Sequence, residues 1–208
     1  MEAHRDRQPE AAPTRYRRPR VGILAVQGAF AEHRERLQRL GATCVELRQA
    51  SDLDIPFDRL VLPGGESTAQ GKLLDRLGML ATLQRRIEEG MPVLGTCAGM
   101  ILLAKAIDEQ SEQDHPAPRL KTMDIAVTRN AFGRQLASFR TEEDLHGCGR
   151  VPMTFIRAPY VHVCGPSVEV LAEIDGRIVA AREKSQIALA FHPELDPNDS
   201  IHRWFLHL

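Results

Sequence analysis

The stretch Pro92–Lys105, PVLGTCAGMILLAK, decides the fold because it sets a cysteine between two apolar segments. Pro92–Leu94 has the length and composition of a buried strand, and the run Met100–Ile107 predicts a helix. Between them Gly95–Gly99 reads G-x-C-x-G, the thiol form of the nucleophile elbow, in which a strand turns sharply into a helix. Glycines flank such a bend because a Cβ atom there would collide with the backbone. The stretch therefore predicts one strand–turn–helix unit of an α/β protein.

Strands and helices alternate on the N-terminal side of this unit. The apolar run Val21–Val26 predicts a buried parallel strand, and Phe30–Leu40, which ends before Gly41, predicts an amphipathic helix. Similar patterns predict strands at Thr43–Leu47 and Arg59–Leu62 and helices at Ser67–Leu77 and Leu80–Glu89. Such alternation is typical of a mostly parallel sheet with helices on both faces.

The second half of the chain is richer in strands. Asp175-Gly176, between two β-rich runs, predicts a hairpin, so antiparallel strands are expected to join the sheet. Asp199–Leu208 predicts a short terminal helix. Further strands are predicted at Thr122–Thr128, Val151–Ile156, Val161–Val163, Val168–Ile174, Arg177–Arg182 and Gln186–Phe191. We therefore predict one α/β domain over residues 21–208.

Composition excludes several classes of protein. With 43% hydrophobic and 26% charged residues, the 208-residue chain has the balance of a globular protein, and its net charge of −1 gives no field for nucleic acid or an anionic membrane. No apolar run approaches the roughly 20 residues of a membrane-spanning helix. The four cysteines form no C-x-x-C pair and no zinc pattern. We expect a cytoplasmic protein with free thiols, without metal or cofactor, that binds neither nucleic acid nor membrane.

Residues 1–20 differ from the rest of the chain. They hold six arginines, three acidic residues and three prolines, and they lack the apolar segment of a secretory signal. We interpret them as a disordered basic extension, or as the product of a start codon placed too early. An organellar presequence is the alternative, against which the acids and prolines count.

Cys97 is the candidate nucleophile. At the elbow it lies at the N-terminus of a predicted helix, where the helix dipole and unpaired N–H groups favour the thiolate. The N–H of Ala98 then points to the place where an oxyanion would develop. The alternative is a small buried cysteine that only packs.

His192 is the candidate base because it follows an apolar run and so lies at a strand end, where ligands gather in parallel sheets. Pro193 stiffens the link to Glu194, whose carboxylate could orient the imidazole. The alternative is a solvated His-Pro-Glu turn.

The segment PGGES, residues 63–67, is a candidate oxyanion loop. Its two glycines permit backbone conformations that turn N–H groups toward an anion, while Glu66 and Ser67 could bind polar ends of a substrate. Ser67 or Thr68 could equally cap the next helix. Arg129 and Arg157 each follow a predicted strand, where a guanidinium could pair with a carboxylate or could be a surface charge.

Six segments follow one another between Val21 and Leu195: VGILAVQGAFAEH, LVLPGGEST, PVLGTCAGMILLAK, RNAFGRQ, FIRAP and FHPEL. Together they closely resemble the glutaminase subunit of pyridoxal 5′-phosphate synthase, a class I, triad-type glutamine amidotransferase. G-x-C-x-G and H-P-E are shared by the wider superfamily, whereas Q-G-A-x-x-E-H, P-G-G-E-S-T and R-N-x-F-G-R-Q are much more specific. The resemblance implies a three-layer α/β/α sandwich. It also implies hydrolysis of L-glutamine to L-glutamate and ammonia, which a barrel-type synthase subunit uses to make pyridoxal 5′-phosphate.

The resemblance also implies roles for individual residues. Cys97 would be the nucleophile, His192 the base and acid, and Glu194 its orienting partner. Gly65 and Ala98 would supply the oxyanion N–H groups. The residues implied to contact glutamine are Gly65, Glu66, Ser67, Arg129, Ile156 and Arg157. Gln27 would lie at the face that meets the synthase subunit, and activity would depend on that subunit because the Gly64–Gly65 peptide must rotate.

The chain departs from the family pattern away from these motifs. Residues 1–20 have no counterpart, the chain stops soon after its terminal helix begins, and Gln110–Pro118 and Glu142–Arg150 fit less closely. These departures would affect contacts with a partner. Two alternatives remain: the glutaminase subunit of another ammonia-channelling amidotransferase, such as one feeding histidine biosynthesis, and a non-catalytic glutaminase-like binding module.

Overall fold

The structure, a computed structural model, describes residues 18–114, 116–129 and 138–208. Residues 1–17 of the basic extension and residues 130–135 of the RNAFGRQ segment lie outside the described residues. The first strand begins at Arg20, one residue earlier than predicted.

Ten strands of the described chain form one mixed sheet, and two more form a separate hairpin. The strands are β1 (Arg20–Leu24), β2 (Thr43–Leu47), β3 (Arg59–Leu62), β4 (Val93–Thr96), β5 (Ala104–Ile107), β6 (Met123–Thr128), β7 (Ser138–Leu145), β8 (Gly149–Ile156), β9 (Tyr160–Cys164), β10 (Glu169–Ile174), β11 (Arg177–Glu183) and β12 (Gln186–Leu189). The order across the large sheet is β2-β1-β3-β4-β12-β11-β9-β6-β5, with β10 also paired to β11. The five neighbouring strands β2, β1, β3, β4 and β12 are parallel to one another. Strand β11 is antiparallel to β12, β10 and β9, and β9 is antiparallel to β6. The predicted mixed sheet is confirmed.

Helices pack on the sheet in two groups. The helices are α1 (Phe30–Arg39), α2 (Ser67–Arg76), α3 (Leu80–Glu88), α4 (Ala98–Leu103), α5 (Glu109–Asp114) and α6 (Ser200–Leu206). Helix α1 contacts β1, β2 and α6, while α4 contacts β3, β4 and β12 and also α2, which packs on α3. The chain is thus the α/β sandwich that the sequence predicts. No helix among the described residues is long and apolar enough to cross a membrane.

Two parts of the sequence prediction are wrong. The run Met100–Ile107 is not one helix, because α4 ends at Leu103 and Ala104 turns to extended backbone. Ala104–Ile107 instead forms β5 beside β6. A short apolar run fits a buried helix and a buried strand equally well, so pairing with β6 decides the outcome.

The second correction concerns the hairpin of β7 and β8, whose first strand was not predicted. The two strands pair from Ser138 with Ile156 to Leu145 with Gly149. Phe139 stacks on Phe155 across the hairpin with ring centroids 4.5 Å apart, and the buried Phe155 packs on Phe191 at 5.6 Å, which holds the hairpin to the core. The Asp175-Gly176 hairpin, by contrast, is confirmed, with both residues at positive φ between β10 and β11.

Candidate active site

The elbow at Cys97 has the predicted geometry. Strand β4 ends at Thr96, Cys97 takes φ 49° and ψ −98°, and α4 begins at Ala98. A Cβ atom on Gly95 would lie 2.8 Å from the Gly99 carbonyl carbon, and one on Gly99 would lie 2.1 Å from Leu62 O. Glycine is therefore required on both sides, and Cys97, 8% exposed, is held at the top of the strand.

His192 reaches Cys97 because β12 runs beside β4. The two strands are parallel, with Leu189 opposite Thr96, and the Cys97 N–H donates to the Leu189 carbonyl at 2.7 Å. His192 follows three residues later, close enough for its imidazole to interact electrostatically with the Cys97 thiol. Its Nδ1 lies 2.7 Å from Glu194 Oε1. The three predicted side chains thus lie side by side in the order Cys97, His192, Glu194, with a direct hydrogen bond between the last two.

The electrostatics of this chain favour a charged imidazole. Burial by itself would lower the pKa of His192, but its hydrogen bonds and charge interactions with Cys97 and Glu194 outweigh burial and raise the pKa to about 10. Burial would raise the pKa of Glu194, yet the neighbouring His33 and His192 hold it far below its usual range. Glu194 is therefore ionised at neutral pH and stabilises a proton on His192.

Helix α1 supports Glu194 from the side away from His192, which the sequence did not predict. His33 Nε2 lies 3.3 Å from Glu194 Oε2, and both side chains are fully buried. Arg36, one turn later, donates from Nε to the Glu194 carbonyl oxygen at 2.8 Å. The available signal was the Q-G-A-x-x-E-H segment, whose histidine is His33.

The loop that contains Gly64 and Gly65 packs against both the triad and Gln27. A Cβ atom on Gly64 would lie 2.3 Å from His192 Cε1, and one on Gly65 would lie 2.4 Å from Gln27 Oε1. Gln27 Oε1 accepts the Glu66 N–H at 2.8 Å, and the Gly64 carbonyl accepts the Ala29 N–H at 3.0 Å. A side chain at Gly64 would push against the His192 ring, and one at Gly65 would displace the end of the Gln27 side chain.

A small cavity of about 50 Å³ opens onto the Cys97 thiol. It is lined by Gly65, Glu66, Ser67, Cys97, Ile101, Arg129, Ile156 and Arg157. All the residues predicted to contact substrate therefore come together here, from α2, α4 and the ends of β6 and β8. Ile101 was not predicted, although its position one helical turn after Cys97 places it on the same face of α4.

Two arginines lie at the cavity in different settings. Arg129 donates from its guanidinium to Thr68 Oγ1 at 3.3 Å, and its backbone N–H donates to Asp108 at 3.3 Å. Arg157 takes φ 44° and pairs with Glu66 at 3.3 Å near the solvent. Both guanidinium groups are therefore within reach of a carboxylate that enters the cavity.

A cysteine elbow beside a His–Glu pair, at the carboxyl edge of parallel strands, is the arrangement of the class I glutamine amidotransferases. Residues 23–208 match the sequence model of one branch, the SNO glutamine amidotransferase family. The chain belongs to that family.

Individual relatives agree with this assignment. The pyridoxal 5′-phosphate synthase subunit PdxT of a Desulfitobacterium hafniense strain is 53% identical over 187 residues, 90% of this chain and 92% of the relative. The protein of the same name from Methanocorpusculum labreanum is 52% identical over 189 residues, 91% of this chain and 97% of the relative. A crystal structure described as a glutamine amidotransferase has a TM-score of 0.83 at 42% identity, covering 90% of this chain and 97% of that chain.

Proposed function

We propose that this chain is the glutaminase subunit of a pyridoxal 5′-phosphate synthase, with residues 21–208 as its single glutaminase domain. It hydrolyses L-glutamine to L-glutamate and ammonia and delivers the ammonia to a synthase subunit for vitamin B6 biosynthesis. The observation that carries the proposal is that His192, hydrogen-bonded to Glu194, lies beside Cys97 at the small cavity. The names of relatives about half identical to this chain point to the same reaction.

Glutamine binds with its side-chain amide toward Cys97. Arg129 pairs with the α-carboxylate of glutamine, because it ends β6 at the cavity and carries a guanidinium suited to a carboxylate. Arg157 and Glu66, at the exposed rim, contact the amino acid end of the substrate. Gly65, Ser67 and Ile156 complete the walls.

The chemistry proceeds through a thioester. Cys97 Sγ attacks the δ-carbon of the amide, and the N–H groups of Gly65 and Ala98 stabilise the oxyanion by about 3 kcal/mol per donor. His192 protonates the leaving nitrogen, so ammonia departs and a glutamyl thioester remains. His192 then takes a proton from water, whose oxygen attacks the thioester, and glutamate leaves as the thiol is restored.

The synthase subunit completes this site by docking near Gln27. The side chain of Gln27 already holds the Glu66 N–H, so a partner that moves Gln27 changes the loop that carries Gly65. Rotation of the Gly64–Gly65 peptide would exchange the hydrogen bond between Ala29 and Gly64 for another partner. Glutaminase activity is therefore expected to be low in the isolated chain and to rise when the synthase is added; equal activity would contradict this step. A cytoplasmic location stays a prediction of the free thiols.

The test is ammonia release from glutamine by the chain assembled with its synthase subunit. Cys97→Ala should lower the rate by about 10⁴-fold or more, whereas Cys164→Ala, a matched change at a half-buried thiol, should leave it unchanged. Continued ammonia release by Cys97→Ala would refute the proposal. Alkylation by a glutamine-mimicking electrophile, read by intact mass, should label Cys97; no adduct even with the partner present would favour a binding module.

A further inference from the structure

His33 lies at the centre of a buried polar group behind the triad. It belongs to α1 and is 0% exposed. Its Nε2 is 3.3 Å from Glu194 Oε2 and 3.3 Å from Thr96 Oγ1, and its Nδ1 is 3.0 Å from His202 Nε2. One imidazole thus touches the acid of the proposed triad, the residue before Cys97, and the terminal helix α6.

The hydrogen-bond partners decide which nitrogen of His33 carries a proton. Burial lowers the pKa of His202, and the nearby His33 lowers it further. The pKa lies well below 6.5, so His202 is neutral at pH 7. Its Nδ1 is buried and has no hydrogen-bond partner among the described residues. Because an unpaired buried N–H is costly, the proton of His202 belongs on Nε2, where it is donated to His33 Nδ1. His33 therefore carries its own proton on Nε2, facing Glu194 and Thr96.

Glu194 needs this proton because its two oxygens have unequal surroundings. Oε1 accepts from His192 at 2.7 Å. Oε2 is buried and has no hydrogen bond of regular geometry within the described chain, so the 3.3 Å charge contact with His33 Nε2 is what offsets its burial. Without His33 the carboxylate would carry an uncompensated buried oxygen and lose the contact that fixes its rotation.

We propose that His33 is a positioning residue that holds Glu194 by its outer oxygen, so that the inner oxygen stays aligned with His192. The inference rests on the proposed triad and adds a fourth member behind it. By touching Thr96 as well, His33 ties the strand end that carries Cys97 to the acid that orients the base. The contacts at 3.3 Å are long, as expected when one N–H is shared between two acceptors.

The test compares two variants that have nearly the same shape. His33→Gln keeps a donor close to the position of Nε2, whereas His33→Met fills the same volume without one. Assayed as the complex with the synthase subunit, His33→Met should lose about 10- to 100-fold in kcat for glutamate release, with KM for glutamine within about twofold. His33→Gln should recover most of that loss. The rate of Cys97 alkylation by a diazoketone analogue of glutamine should follow the same order.

His202→Gln is the matched control, since the glutamine amide N–H can still donate to His33 Nδ1 while the imidazole of His202, which makes no contact with Glu194, is removed. Its kcat should stay within about threefold of the wild type. A wild-type kcat in His33→Met would overturn the proposal. Equal losses of kcat in His33→Met, His33→Gln and His202→Gln would overturn it as well. If His33→Met does not fold, His33→Asn, whose amide nitrogen lies near Nδ1, takes its place with the same expected loss. Cys97→Ala assayed in parallel separates the two ideas: activity there would overturn the triad itself.

Discussion

Gly64→Ala tests how closely the oxyanion loop is fitted to the triad. Gly64 does not take a positive φ, so alanine meets no backbone penalty. The added Cβ would lie 2.3 Å from His192 Cε1 and 2.8 Å from Nδ1, whereas carbon atoms in contact prefer roughly 3.5–4.0 Å. The ring must therefore move by about 1 Å. A misplacement of this size lowers a catalytic rate by about 100-fold, or about 2.7 kcal/mol of transition-state stabilisation.

The assay is kcat and kcat/KM for glutamate release by the complex, measured beside the free energy of unfolding in urea. Gly22→Ala is the matched control, because its Cβ would also meet a ring, at 2.8 Å from Phe57 Cδ2, far from the site. Both variants should lose about 1–3 kcal/mol of stability through overpacking. Only Gly64→Ala should lose activity. A Gly64→Ala enzyme with kcat within threefold of the wild type would refute the assigned position of His192.

Three further predictions concern the groups around the triad. Because the pKa of His192 is raised to about 10, protonated His192 stabilises the fold fully below pH 6.5 and less as the pH rises through 10. The stability gap between wild type and His192→Asn, from urea unfolding, should therefore narrow from pH 6 to pH 10; a constant gap would contradict the assigned shift. Arg36→Met removes the donor to the Glu194 carbonyl and should lower the free energy of unfolding in urea by about 1.5–3 kcal/mol. An unchanged free energy of unfolding would show that this contact does not stabilise the protein. Among the described residues Arg157 forms one ion pair, an exposed one with Glu66, so stability in Arg157→Gln should change by less than about 1 kcal/mol while KM for glutamine rises; an unaltered KM would remove Arg157 from the substrate site.

The sequence predicted the parts of the fold that carry a strong local signal. The elbow is readable because Gly95, Cys97 and Gly99 stand together in one five-residue pattern, although the close contact of Gly99 is with Leu62 of β3. The Asp175-Gly176 hairpin is readable because its two residues take positive φ, which few residue types accept. Cys97 and His192 were predicted from local patterns and the full substrate set from the family resemblance, and that substrate set lines one cavity with Cys97.

What the sequence did not predict depends on contacts between distant segments. Ala104–Ile107 becomes a strand only because β6 is available beside it. The Q-G-A-x-x-E-H segment contains His33 but does not reveal its role, since a histidine on a helix is usually exposed or packed. Of its partners, Thr96 lies 63 residues away along the chain and His202 lies 169 residues away, and Glu194 is equally remote from helix α1. Only the assembled sheet brings them together.

The backbone of Cys97 has a consequence for how the protein changes under mutation. Its φ of 49° and ψ of −98° lie in a region that non-glycine residues rarely occupy, at a cost of about 1–3 kcal/mol. Cys97→Ala keeps that conformation and loses only the thiol, whereas Cys97→Gly loses the thiol and relaxes the backbone. The inactive glycine variant should therefore be the more stable of the two. In a cell that obtains its vitamin B6 from outside, selection for stability alone would favour glycine at the position of the proposed nucleophile.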